Sequence, residues 1–212
     1  MSAKLLLQTE GVLLLASASA RRRELLQDAG VDFQIETARI EEIAGGELTA
    51  RELCLFNAEL KAIEVAARFP RSIVLGADTV VAFEGRIFGK PGDFCEARAM
   101  LEELCGNIHE VLTGVCLVQK SEGKLCRFVE STRVRFRSRQ DVDLEKYLQS
   151  IHPLDKAGAY AAQEDRGRLI ECIEGSMSNV IGLPMETLTR VLKWRRGQSA
   201  RLRPPLSAHR CP

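Results

Sequence analysis

Near its N-terminus the chain sets out residues that can bind anions. An apolar run from Val12 to Ala16 stops at Ser17 and Ser19 and is followed by Arg21, Arg22 and Arg23. Leu25 and Leu26 then start a helical pattern that ends at Gly30. A helix start carries N–H groups with no intrahelical partner and the positive end of the macrodipole. Hydroxyl and guanidinium donors beside it complete the chemistry of a phosphate site. Taken alone, Ser19 could equally be a simple N-cap and the arginines a solvated face.

The company this segment keeps favours the anion site. Ile73 to Ala77 is an apolar run, and Asp78-Thr79 follows it. An aspartate at the end of a buried strand can ligate a hard cation or take a proton from water, although a strand-end Asp often does no more than cap a turn. Glu41 and Glu42 lie in a loop before Gly45-Gly46 and could share a metal ion with Asp78. Lys90, between Gly89 and Pro91, is either solvated or a point charge aimed at phosphate. Lys61 falls in mid-helix, where its type is ordinary. Lys156 is followed by Ala157, Gly158 and Ala159, small residues that let a ligand approach the backbone. Gln163 offers an amide that can read the edge of a base. Together these are cations for a polyphosphate, carboxylates for metal and water, and an amide for a base.

Several elements must position them. Strands are expected near 12–16, 33–37, 72–77, 86–88, 108–119, 125–136 and 168–173, the third ending in Asp78-Thr79 with β-type residues continuing to Phe83. Helices are expected from Thr49 to Arg68, from Asp93 to Leu104, from Asp141 to Ser150 and from about Leu183 to Arg196. Leu53, Leu60, Ile63 and Val65 are available for the buried face of the first of these. Interleaved strands and helices with one long hairpin give an α/β fold with a mixed sheet. Residues 1–197 are expected to form one domain and 198–212 a basic, disordered tail.

Composition narrows the classes. The chain has 212 residues, 45% of them hydrophobic and 28% charged, with a net charge of +1. That balance sets up no global field toward nucleic acid or membrane, so an anion site must be built locally. Seven cysteines without a C-x-x-C pair argue for reduced thiols, a cytoplasmic location and no zinc site. No apolar run is long enough to span a bilayer, and the N-terminus lacks a secretory pattern.

The motifs Ser17-Ala18-Ser19-Ala20-Arg21-Arg22, Ala77-Asp78-Thr79, Gly89-Lys90-Pro91, Thr113-Gly114, Asp155-Lys156-Ala157-Gly158-Ala159-Tyr160 and Gly182-Leu183-Pro184 follow in the order and spacing of the Maf family. The chain resembles that family over about residues 11 to 195. The resemblance implies an elongated mixed sheet flanked by helices, in two lobes with a cleft, as in the inosine triphosphate pyrophosphatases. It implies hydrolysis of a nucleoside triphosphate to the monophosphate and pyrophosphate, assisted by Mg²⁺ or Mn²⁺. Asp78 matches the family's proton acceptor. Ser17, Arg21, Arg22, Glu42, Lys61, Lys90 and Gln163 match positions linked to substrate or metal binding, and the family suggests a homodimer.

Arg21, Thr79 and Gln163 carry the types found in the branch resembling dTTP/UTP pyrophosphatases. The branch acting on 7-methyl-GTP has Trp, Gln and Glu there, and Trp194 is this chain's one tryptophan. Two departures stand out. Ala20 replaces a usual proline, and Glu164-Asp165 follows Gln163 where glycine is usual, which would strain a turn needing positive φ and repel a triphosphate if the charges faced it. Rival readings are a 7-methyl-GTP pyrophosphatase, a non-catalytic nucleotide-binding regulator of cell division, and nucleic-acid binding through Arg133, Arg135, Arg137 and tail arginines.

Overall fold

The structure, a computed structural model, describes residues 12–192. Seven strands form one mixed sheet in the order β2-β1-β3-β5-β6-β7, with β4 also paired to β3. The strands are β1 (Leu13–Leu15), β2 (Phe33–Ile35), β3 (Ile73–Phe83), β4 (Arg86–Phe88), β5 (Ile108–Gln119), β6 (Lys124–Phe136) and β7 (Ile170–Glu174). The helices are α1 (Ala20–Asp28), α2 (Ala50–Arg68), α3 (Phe94–Leu104), α4 (Leu144–Gln149), α5 (Met177–Ile181) and α6 (Met185–Leu192). Between α4 and β7 the chain runs through three short 3₁₀ turns, at Pro153–Asp155, Ala157–Ala159 and Ala162–Glu164.

The sheet has a break on one edge that matters for the site. β1 pairs in parallel with Ile73, Val74 and Leu75 of β3. On the same edge β4 pairs antiparallel with Val81, Ala82 and Phe83. Residues 76–80 of β3 lie between these two partners, while β5 covers the other edge from Val74 to Ala82. Asp78, expected at a strand end, is therefore mid-strand. What ends beside it is the neighbouring strand β1, which turns away at Ser17 into α1.

Two lobes share the long strands. In one, Leu13, Leu15, Leu75 and Val115 of the sheet pack against Leu26 of α1 and Leu188 of α6, and Leu14 and Cys116 pack against Ala58, Ala62 and Val65 of α2 on the opposite face. In the other, Phe88, Leu101, Phe136, Leu144, Tyr147 and Tyr160 form a core between α3, α4 and the far halves of the strands. Each fully buried leucine contributes about 1.5–3 kcal/mol of transfer free energy.

α2 begins in the capping box expected from Thr49 and Glu52: Glu52 N–H donates to Thr49 Oγ1 at 3.3 Å, and Thr49 N–H donates to Glu52 Oε2 at 2.9 Å. The helix lies very close to the sheet. A Cβ on Gly76 would sit 2.2 Å from the Ala58 carbonyl oxygen, and one on Gly114 would sit 2.4 Å from that of Cys54. Only glycine permits this approach.

Several expectations need correction. Ile63 is 49% exposed and Leu60 only partly buried, because the face of α2 turned to the sheet is the small-residue one, Cys54, Ala58, Ala62 and Ala66. The turn at Gly175-Ser176 leads into a helix, α5, that was not expected. Cys54, Cys95, Cys105, Cys116 and Cys126 are free thiols, and Cys172 is disulfide-bonded. The expected tail and Trp194 lie outside the described residues. Among those residues, no helix is long and apolar enough to cross a membrane.

Candidate active site

A cleft of about 500 Å³ opens where β3 lacks a neighbour at residues 76–80. Side chains alternate across a strand, so Asp78 and Thr79 point to opposite faces of the sheet. Both line the cleft, because the break in the edge lets it reach either face. Ser17, Arg21, Arg22, Glu42, Lys61, Asp78, Thr79, Lys90, Lys156 and Gln163 all line this one space, although they span 147 positions of sequence from Ser17 to Gln163. Ala18, Ser19 and Ala20 line it as well, so the start of α1 faces it. Ser19 is the N-cap of that helix, accepting from Arg22 N–H at 3.5 Å.

On the α2 side, Lys61 is 7% exposed and its ammonium is shared by two carboxylates. Nζ lies 2.8 Å from Asp78 Oδ1 and 2.9 Å from Glu42 Oε1, with the Ala77 carbonyl at 3.5 Å. Burial pushes the Glu42 carboxyl up. The Lys61 hydrogen bond and the charges of Lys61, Lys90 and Arg22 outweigh that and hold it below its usual value. Asn57, which has no chemical signature in the sequence, ties this arrangement together. Its Nδ2 donates to the Ile43 carbonyl at 2.9 Å and reaches Asp78 Oδ2 at 3.4 Å, while its Oδ1 accepts from Ile43 N–H at 2.9 Å. The loop that carries Glu42 is thereby pinned to α2.

On the other face, Arg22 is buried. Nε donates to the Gly182 carbonyl at 2.8 Å, Nη1 to Ser17 Oγ at 3.1 Å and Nη2 to Thr79 Oγ1 at 3.1 Å. Desolvation lowers its pKa, against the pull of the nearby Asp78 charge, and the guanidinium stays charged. Thr79 Oγ1 also shares a hydrogen bond with Thr113 Oγ1 at 3.0 Å. Thr113 in turn donates to the Asn179 carbonyl at 3.1 Å, so α5, β5 and β3 are tied together beneath the arginine.

Two contacts cross the cleft mouth from α1. Arg21 meets Asp155 through Nη1 to Oδ2 at 3.0 Å and Nη2 to the carbonyl at 3.2 Å. Gln163 Nε2 donates to Glu24 Oε2 at 3.3 Å. Lys156, also buried, is held by Asp155 Oδ1 and the His152 carbonyl, both at 2.7 Å. Lys90 is exposed and makes no ion pair with any described residue, leaving its ammonium available to an incoming anion.

The Glu164-Asp165 departure is harmless to this site. Asp165 is buried and turned back on its own loop, accepting from Leu169 N–H at 3.0 Å and Ile170 N–H at 3.1 Å. Neither residue lines the cleft, and the positive φ values fall on Arg166 and Gly167 instead. The basic stripe of β6 is partly neutralised, with Arg133 paired to Glu174 at 3.0 Å.

Among the described residues, no three His, Cys, Asp or Glu side chains converge as a closed metal cage. Asp78 and Glu42 nonetheless fit a hard cation. Magnesium is commonly held by one or two carboxylates together with substrate phosphates, and these two converge on a single positive charge at one wall of the cleft.

The chain is 41% identical over 181 residues to a dTTP/UTP pyrophosphatase of Pelotomaculum thermopropionicum, covering 85% of this chain and 95% of that one. It is 42% identical over 181 residues to a dTTP/UTP pyrophosphatase of Halalkalibacterium halodurans, covering 85% and 94%. Among solved structures, a HAM1 protein from Coxiella burnetii aligns with 17% identity and a TM-score of 0.43, over 86% of this chain and 98% of that chain. The family model described as Maf-like protein matches residues 12–195, and the chain belongs to the Maf family.

Proposed function

We propose that this protein hydrolyses dTTP and UTP to the monophosphate and pyrophosphate. The observation that carries the reading is the convergence of five cationic side chains, Arg21, Arg22, Lys61, Lys90 and Lys156, on a cleft whose wall holds Asp78 and Glu42. The names of the relatives point to the same substrates.

Positioning and charge neutralisation do most of the work in such a reaction. Lys90, Arg21 and the start of α1 receive the β and γ phosphates, aided by Ser17. Three of the five N–H donors of Arg22 are committed to the protein, so it is a fixed charge with two donors left for phosphate oxygens. Asp78 Oδ1 is held by Lys61, while Oδ2 has only the long contact from Asn57. Oδ2 therefore takes the proton of the attacking water. That water attacks the α-phosphorus, the bond to the bridging oxygen breaks, and pyrophosphate leaves. Mg²⁺ or Mn²⁺, held by Asp78 and Glu42 together with the nucleotide, would lower the pKa of the water and neutralise phosphate charge. Gln163 and Thr79 select the pyrimidine, with Thr79 acting through the wall it builds with Thr113 and Arg22.

The test is pyrophosphate release over UTP, dTTP, CTP, GTP, ATP and 7-methyl-GTP, with and without Mg²⁺. Metal-dependent release greatest with UTP and dTTP is expected. Release from none of the six, or a preference for 7-methyl-GTP, would overturn the assignment.

A further inference from the structure

Lys61 looks unremarkable in the sequence, yet it holds the most enclosed charge on the α2 side of the cleft. Its ammonium has three donors, and each meets an acceptor: Asp78 Oδ1 at 2.8 Å, Glu42 Oε1 at 2.9 Å and the Ala77 carbonyl at 3.5 Å. It bridges the two carboxylates that a divalent ion would need. The wider field is no more welcoming to a lone metal ion. The charges of Arg22 and Lys90 act on Glu42, and that of Arg22 acts on Asp78 as well. Two carboxylates thus face three cations, a balance that attracts a polyphosphate and repels a free dication.

We propose that Lys61 is a built-in counter-cation that keeps divalent metal out of the free protein, so that the ion enters only together with a polyphosphate. The phosphate oxygens then give the ammonium new acceptors, and the two carboxylates are released to the metal. When pyrophosphate leaves, Lys61 returns to Asp78 and Glu42. Lys61 is on this account a positioning residue for the carboxylates, in addition to any contact with phosphate. The inference rests on the metal-assisted reading above, but its test does not require turnover.

The experiment titrates Mn²⁺ into the nucleotide-free protein and follows the free-ion electron paramagnetic resonance signal. The wild type is expected to take up no Mn²⁺ at micromolar concentrations. Lys61→Met and Lys61→Gln, checked for native folding by thermal unfolding, should bind it at least about tenfold more tightly, as expected when a like charge is removed a few ångströms away. Lys61→Arg, which keeps the charge, should behave as the wild type. Glu42→Gln added to Lys61→Gln should remove the gained site. Binding by the wild type as tight as by the Met and Gln variants would overturn the proposal. So would failure of both neutral variants to gain affinity, or a gained site that survives Glu42→Gln. A wild type that releases no pyrophosphate from any nucleotide would refute the proposed function and leave these titrations to decide the role of Lys61 separately.

Discussion

In the proposed reaction Asp78 is the proton acceptor, and its two oxygens are unequal. One is bound at 2.8 Å by a buried ammonium and the other is nearly free. Replacing it by asparagine keeps the shape and the contact with Asn57 but removes the proton acceptor. Asp78→Asn is expected to retain UTP binding and lose about 10²–10⁴ in kcat, the usual range for a positioned general base. Pyrophosphate release alongside equilibrium binding of UTP checks this, and a kcat near wild type would remove Asp78 from that role. Lys61 and Asn57 show how much the residue scale hides. A lysine or an asparagine on a helix is ordinary by type, and only its burial against Asp78 gives it a part in the site.

The element that positions these side chains is α2. Its small-residue face, Ala58, Ala62 and Ala66, lets the helix axis approach β3 closely, and Gly76 and Gly114 supply the matching absence of side chains. Gly76→Ala would drive a Cβ to 2.2 Å from the Ala58 carbonyl, a clash with backbone that no rotamer relieves. The helix must then lift, taking Asn57 and Lys61 away from Asp78. The expected result is a loss of roughly 1–3 kcal/mol or more in urea unfolding, with a fall in activity larger than stability alone explains. Unchanged stability would show that the close approach is not needed. The same geometry explains why Ile63 is exposed. Apolar spacing alone favoured large residues for the buried face, whereas a helix seated this tightly excludes them.

At the scale of the molecule, a buried histidine makes the stability of the fold depend on pH. His109 on β5 is 1% exposed, with Nε2 3.0 Å from the Tyr160 hydroxyl and its ring edge-on to Phe136. Burial pushes its pKa from 6.5 down to about 4. The folded imidazole stays neutral until about pH 4, while the unfolded chain takes up the proton below about 6.5. Its contribution to stability is therefore complete above pH 6.5 and drains as the pH falls toward 4, by a few kcal/mol at most on the order of the linkage relation. Urea unfolding of the wild type should weaken between pH 7 and pH 5, and His109→Phe should flatten that slope. Equal slopes would show that His109 is not the source. Glu42 and Asp155, whose carboxyls lie below their usual range, lose their contributions only at still lower pH, so the two effects separate.

Much of this protein is legible from its residues alone. The elements at 20–28, 50–68 and 94–104 announce themselves through Ser19, Thr49-Glu52 and Asp93, because capping is a local event between neighbours in sequence. The apolar runs of β1 and β3 are equally local. The order of short motifs names the family, and the ten candidate site residues carry the types that phosphate and metal chemistry require. What the chain could not reveal is whatever depends on two distant segments meeting. β1 and β4 leave one edge of β3 open at residues 76–80, so Asp78 lines the cleft in mid-strand rather than at a strand end. Lys61 becomes the bridge between Asp78 and Glu42, and Asp165 turns inward instead of facing the cleft. α5 went unseen because five residues capped by Ser176 leave little periodicity to read. Residue type and local spacing determine which chemistry is available and where helices begin. Sheet register and close helix packing decide which charges face one another, since electrostatic effects depend on distances and burial that no one-dimensional pattern contains.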